Sequence, residues 1–93
     1  MPIGILKVYL AVDHVQSLKE KRSLIQPLLN DLRNNYNVSV SELDGRDDLH
    51  SSTLGIAHIS EDGRKSNRKL SKIVNKVERV RGFRLLDYTL EVF

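Results

Sequence analysis

Apolar and polar side chains alternate from Ile5 to Val12, where Leu6, Val8, Leu10 and Val12 interleave with Ile5, Lys7, Tyr9 and Ala11. A period of two with one strongly apolar face predicts a strand. Ser17 and Glu20 then have the spacing of a capping box, so a helix is expected to start there. Its apolar stripe runs through Leu18, Ile25, Leu28, Leu29, Leu32 and Tyr36, with Lys19, Lys21, Arg22, Asp31 and Arg33 mostly outside it. Pro27 interrupts the pattern; its missing N–H and its ring predict a bend or a delayed helix start near residue 23. Asn34, Asn35 and Asn37 close the helix, and Val38 to Leu43 reads as a short strand with Val38 and Val40 on one face.

The run from Asp44 to Asp48 is a polar turn. Residues 52 to 60 form a third strand, with Leu54, Ile56 and His58 on one side and Thr53, Gly55, Ala57 and Ile59 on the other. The small Gly55 and Ala57 are expected to let a helix lie close. After Glu61, Asp62 and Gly63 a second helix runs to about Arg81 and stops at Gly82, and Phe83 to Val92 supplies the last strand. Two strand-helix-strand units with right-handed crossovers make an α+β fold of the ferredoxin-like β-α-β-β-α-β type. It is a four-stranded antiparallel sheet with two helices on one face, as a single domain over residues 1–93. The opposite sheet face is left without a helical cover.

Apolar residues at 40% and charged residues at 29% fit a folded domain and not a disordered chain. Without cysteine there is no disulfide framework and no thiolate metal site. No apolar run approaches the length of a membrane span or a signal core, so a soluble, cytoplasmic protein is expected.

Charge changes the picture through its distribution, because the net charge is only +3. Between Glu61 and Arg84 stand nine of the fifteen Lys and Arg residues against three acids; the rest of the chain carries six cations and nine carboxylates. Wound at about 100° per residue, Lys65, Arg68, Lys69, Lys72, Lys76 and Arg79 share an arc of about 100°. Leu70, Ile73, Val74, Val77 and Val80 occupy the other side. One helix thus has a face for a core and a face for an anion, and a row of this kind suits a phosphate backbone. Lys19, Lys21 and Arg22, at the start of the first helix, form a second cation cluster that opposes the helix dipole unless an anion or Glu20 offsets it.

The stretch Ser17-Leu18-Lys19-Glu20-Lys21-Arg22, then Tyr36-Asn37-Val38-Ser39-Val40-Ser41-Glu42 and Leu54-Gly55-Ile56-Ala57, resembles the YlxP-like family of small bacterial proteins, over nearly the whole chain. The resemblance implies the ferredoxin-like fold and, from the genes beside which such proteins are encoded, a ribosome or RNA context. Where relatives commonly carry a tryptophan followed by glutamine and arginine, this chain has Leu49, His50 and Ser51. Leu49 cannot stack on a base as an aromatic ring would.

Other chemistries find less support. Asp44, Asp47, Asp48 and His50 are oxygen and nitrogen ligands without an EF-hand spacing, and turn geometry alone explains the aspartates. His14 and His58 are isolated, and His58 reads as a packed or edge residue. No serine sits in a nucleophile elbow, and the glycines are too dispersed for a phosphate loop, so neither an enzyme nor a cofactor is expected. Strand one offers Tyr9 as a stacking ring and strand three offers none, which disfavours base reading on the sheet. The expected function is therefore a non-enzymatic accessory protein that binds structured RNA or the ribosome through phosphates. Lys65, Arg68, Lys69, Lys72, Lys76 and Arg79 would make the main contacts, with Lys19, Lys21 and Arg22 secondary. The alternative is a homo-oligomerising module whose bare sheet face forms a dimer, with no nucleic-acid role.

Overall fold

A computed structural model describes all residues from Met1 to Phe93. The order is β1 (Ile3–Val12), α1 (Leu18–Tyr36), β2 (Ser39–Asp44), β3 (Ser51–Ile59), α2 (Gly63–Glu78) and β4 (Phe83–Val92). The strands form one antiparallel sheet in the order β2-β3-β1-β4, the expected ferredoxin-like topology. Register places Leu6 opposite Ile56 and Leu90, and Val8 opposite Leu54. The alternating apolar face of β1 thereby meets Leu54 and Ile56, and together they bury Ile25, Leu28, Leu29 and Leu32 of α1 and Leu70, Ile73, Val74 and Val77 of α2. Burial of this continuous apolar layer is what holds both helices to one face.

Ser17 caps α1 as predicted: its hydroxyl accepts from the Glu20 N–H at 3.1 Å, and Glu20 reaches back to the Gln16 N–H at 2.9 Å. The delayed start does not occur. Helix α1 begins at Leu18 and continues through Pro27, which is exposed, so the carbonyl that loses its partner at the exposed Ser23 faces water. Asn37 ends the helix in the left-handed region, at φ 52°. Helix α2 stops at Glu78, three residues short of the predicted end. Arg79 caps it with its N–H shared between the Lys76 and Val77 carbonyls, and Gly82 turns the chain at φ 97°.

A second expectation is also corrected. Gly55 and Ala57 lie on the uncovered face, paired with Lys7 and Ile5, and Leu43 of β2 lies over Gly55. The glycine that lets a helix approach is Gly4 of β1, where a Cβ would sit 2.7 Å from Leu70 Cδ1 and 3.1 Å from Ser66 Cβ. No helix is long and apolar enough to cross a membrane.

Candidate nucleic-acid interface

Asp62 starts α2 by accepting from the Arg64 N–H at 2.9 Å. Because Ser66, Leu70, Ile73, Val74 and Val77 face inward, the lysines and arginines between them are forced outward. The two helices run antiparallel, since Asp31 meets Lys76 while Leu24, nearer the start of α1, meets Gly82 beyond the end of α2. The end of α1 therefore lies beside the start of α2. Between them opens a crevice of about 550 Å³, walled by Asn35 and Tyr36 of α1, by His58, Ile59, Ser60 and Glu61 at the end of β3, and by Lys65, Arg68, Lys69 and Lys72 of α2. That volume falls in the range of small-ligand clefts, about 300–1,000 Å³.

Four of the six predicted α2 cations thus line one crevice. They differ in what else they meet. Lys65 pairs with Glu61 one turn back; the lysine's hydrogen bond holds the Glu61 carboxyl below its ordinary range, and Glu61 in turn raises Lys65. Both partners are exposed, so an incoming anion competes for Lys65 against a screened pair. Arg68, Lys69 and Lys72 take part in no ion pair. Lys76 is drawn to α1, with Nζ at 3.4 Å from Asp31 Oδ2, an oxygen that is buried and makes no hydrogen bond. Arg79 sits at the opposite end of the helix as its C-cap.

The α1 cluster does not join this face. Lys19 is exposed in the first turn of α1, and Arg22 lines a separate crevice of about 200 Å³ between α1 and β2, with Arg33 and Arg46. Lys21 is no phosphate contact. Only 2% of it is exposed, and its ammonium donates to the carbonyls of Gly45, of Asp48 at 2.5 Å and of Ser51 at 2.6 Å, with Glu42 Oε2 at 3.5 Å. All three protons of the ammonium are engaged, and the β2–β3 loop closes around it. That loop also accounts for its aspartates: the Asp48 carboxylate accepts from the His50 N–H and the Ser51 hydroxyl, both at 2.9 Å, and these bonds keep its pKa below the usual value.

Sequence reasoning passed over His58. Its Nδ1 lies 3.0 Å from Ser66 Oγ, and its ring forms part of the crevice wall beside the lysines. Nothing in the spacing of His58 and Ser66 signals this pair, which depends on the close approach of α2 to the sheet at Gly4.

Residues 3–90 match the family model described as "Protein of unknown function (DUF503)". The chain belongs to this family. The chain is also 29% identical over 72 residues to the "Uncharacterized protein YlxP" of Bacillus subtilis (strain 168), covering 77% of this chain and 78% of that protein. Among solved structures, it resembles the de novo designed protein LFR1 1 with ferredoxin fold, with a TM-score of 0.55 and 16% identity over 100% of this chain and 84% of that one. It also resembles a mutant of SnoaB, a cofactor-independent oxygenase from Streptomyces nogalater, with a TM-score of 0.52 and 14% identity over 99% and 90% of the two chains. At such identity these likenesses speak for the fold alone.

Within this DUF503 chain, the crevice and the adjoining outer surface of α2 can attract and orient an oxyanion. Lys69 is partly buried, and Lys72 follows it about one turn along the same wall. Arg68 belongs both to this crevice and to a neighbouring hollow with Arg64 and Asn67, so the positive surface continues around the start of α2.

Proposed function

We propose that this protein is a cytoplasmic, non-enzymatic accessory factor that binds structured RNA, free or in a ribosomal particle, through backbone phosphates. The observation that carries this reading is the outward row Arg68, Lys69 and Lys72, three cations without a carboxylate partner on the most basic segment of the chain. Cations that serve only solubility are usually interspersed with acids, and here they are not. Arg64, Lys65 and Lys19 widen the field without adding base contacts, so affinity should depend on salt and little on sequence. Titrating fluorescent RNAs over a salt series tests this. Lys69→Glu with Lys72→Glu should weaken binding to every RNA alike and flatten the salt slope by about 0.7 for each single-strand phosphate that is no longer neutralised. Unchanged affinity in that double variant would refute the reading.

The bare sheet face supports a second reading. Ile5, Leu43 and Ile59 stand on it at 40%, 57% and 60% exposure, a surface that a second copy would cover. Sedimentation of the wild type and of Ile5→Lys decides it: a dimer that the substitution dissociates supports self-association, and a monomer at all concentrations removes it.

A further inference from the structure

We infer that the crevice between the end of α1 and the start of α2 takes a phosphate monoester of a nucleotide, free or at an RNA terminus, with His58 Nε2 addressing the phosphate. The inference rests on the RNA-binding reading and sharpens it from backbone phosphates in general to a chain end.

A one-way chain of hydrogen bonds sets the state of His58. The Asp62 carbonyl can only accept, and Ser60 Oγ donates to it at 2.6 Å. Having given its one proton, Ser60 must accept in its 2.9 Å contact with Ser66 Oγ. Ser66, fully buried, has then given its own proton and must accept from His58 Nδ1 at 3.0 Å. The hydrogen of a neutral His58 therefore sits on Nδ1, and Nε2, which makes no hydrogen bond within the protein, is left as a lone pair on a wall of the crevice. Protonation at Nε2 leaves the chain intact, because Nδ1 donates in either state.

This arrangement distinguishes two kinds of phosphate. A diester oxygen carries no proton, so it meets the lone pair of neutral imidazole as acceptor against acceptor. A monoester, with a second ionisation near pH 6, can bring the proton that the contact needs. One proton then lies between phosphate oxygen and Nε2, whichever of the two formally holds it. Charge points the same way: Lys65, Arg68, Lys69 and Lys72 against Glu61 leave three net positive charges around the crevice, and a monoester bears about −1.5 to −2 where a diester bears −1. The volume exceeds what a phosphate ion alone would fill, and the half-buried Tyr36 ring and the Asn35 amide form the remaining wall, suited to a ribose and base.

The test titrates adenosine 5′-monophosphate, adenosine and inorganic phosphate into the protein by calorimetry. It is paired with one short single-stranded RNA prepared with a 5′-phosphate and with a 5′-hydroxyl. The expected result is measurable binding of the nucleotide, weaker binding of inorganic phosphate, none of adenosine, and about tenfold tighter binding of the 5′-phosphorylated RNA. His58→Asn retains an N–H donor at the Nδ1 position for Ser66 and removes Nε2; it should fold as the wild type does and bind the two RNAs equally. Binding of the nucleotide without either RNA would support the crevice with a free nucleotide as its occupant, and would count against RNA. Equal, salt-dependent binding of both RNAs by the wild type, with no nucleotide binding, would overturn the inference and leave the backbone-phosphate reading standing. Inorganic phosphate binding as tightly as the nucleotide would overturn it as well.

Discussion

Replacing Lys21 by methionine should destabilise the protein severely while leaving the RNA affinity of the folded protein unchanged. Methionine keeps the length and the apolar stem of the side chain but removes every donor. The carbonyls of Gly45, Asp48 and Ser51 then lose their shared partner, and Glu42 loses its cation while keeping the Ser52 hydroxyl at 2.6 Å. Breaking a buried charge pair from one side costs about 3–5 kcal/mol. The loop from residue 45 to residue 50 is largely exposed and can open to rehydrate its carbonyls, which argues for the lower end, about 3 kcal/mol. For 93 residues the whole stability is about 5–14 kcal/mol, so much of it would be lost. Urea unfolding of the wild type, Lys21→Met, Glu42→Gln and the double variant measures both the loss and the coupling. Hydrogen exchange at residues 45–51 should accelerate in Lys21→Met far more than in the β1–β3 ladder. A loss below about 1 kcal/mol, accompanied by weakened RNA binding, would show that the ammonium faces solvent and ligand and that the burial argument is wrong.

Three further outcomes follow from the same geometry. Gly4→Ala forces a methyl against Leu70 and Ser66 at the tightest approach of α2 to the sheet, and should cost about 1–3 kcal/mol in urea unfolding. Ala57→Ser, on the uncovered face, should cost almost nothing by the same measurement if that face meets only water. Asp13, hydrogen-bonded by Arg84, and Asp48, held by the His50 N–H and the Ser51 hydroxyl, both have folded pKa values below the unfolded 3.8. Their stabilisation is complete above that pH and is lost as pH falls through the lowered values; Asp48→Asn should therefore flatten the acid-unfolding profile below about pH 3.8.

The fold was legible because its signals are local and agree with one another. Alternation in β1, the Ser17–Glu20 cap, the apolar stripe of α2 and Gly82 each specify an element from neighbours within a few residues. What failed to show locally was set by solvent or by tertiary approach. Pro27 has the chemistry of a helix breaker, yet the partner it deprives lies on a wet surface where water replaces the lost bond. Gly55 looked like the place for a close helix, but the strand's parity assigned that role to Gly4, whose neighbour Leu70 is 66 positions away.

The cations show the same division between what spacing determines and what packing determines. Helical period alone aligns Lys65, Arg68, Lys69 and Lys72, and all four line one crevice. Lys21 fits the same reading in every local respect, standing between Glu20 and Arg22 in a charged run. Its difference lies in three carbonyls of a loop 24 to 30 residues away, which converge only once β2 and β3 have paired. Glu61 lay one turn before Lys65 and was readable as its partner, whereas Asp31 reaches Lys76 only through the antiparallel packing of α1 on α2. A lysine's surroundings therefore decide whether it builds the fold or faces a ligand, and only Arg68, Lys69 and Lys72 of the nine predicted contacts combine the right spacing, a shared crevice and no ion-pair partner. Those three are the positions at which charge reversal should change binding without changing stability.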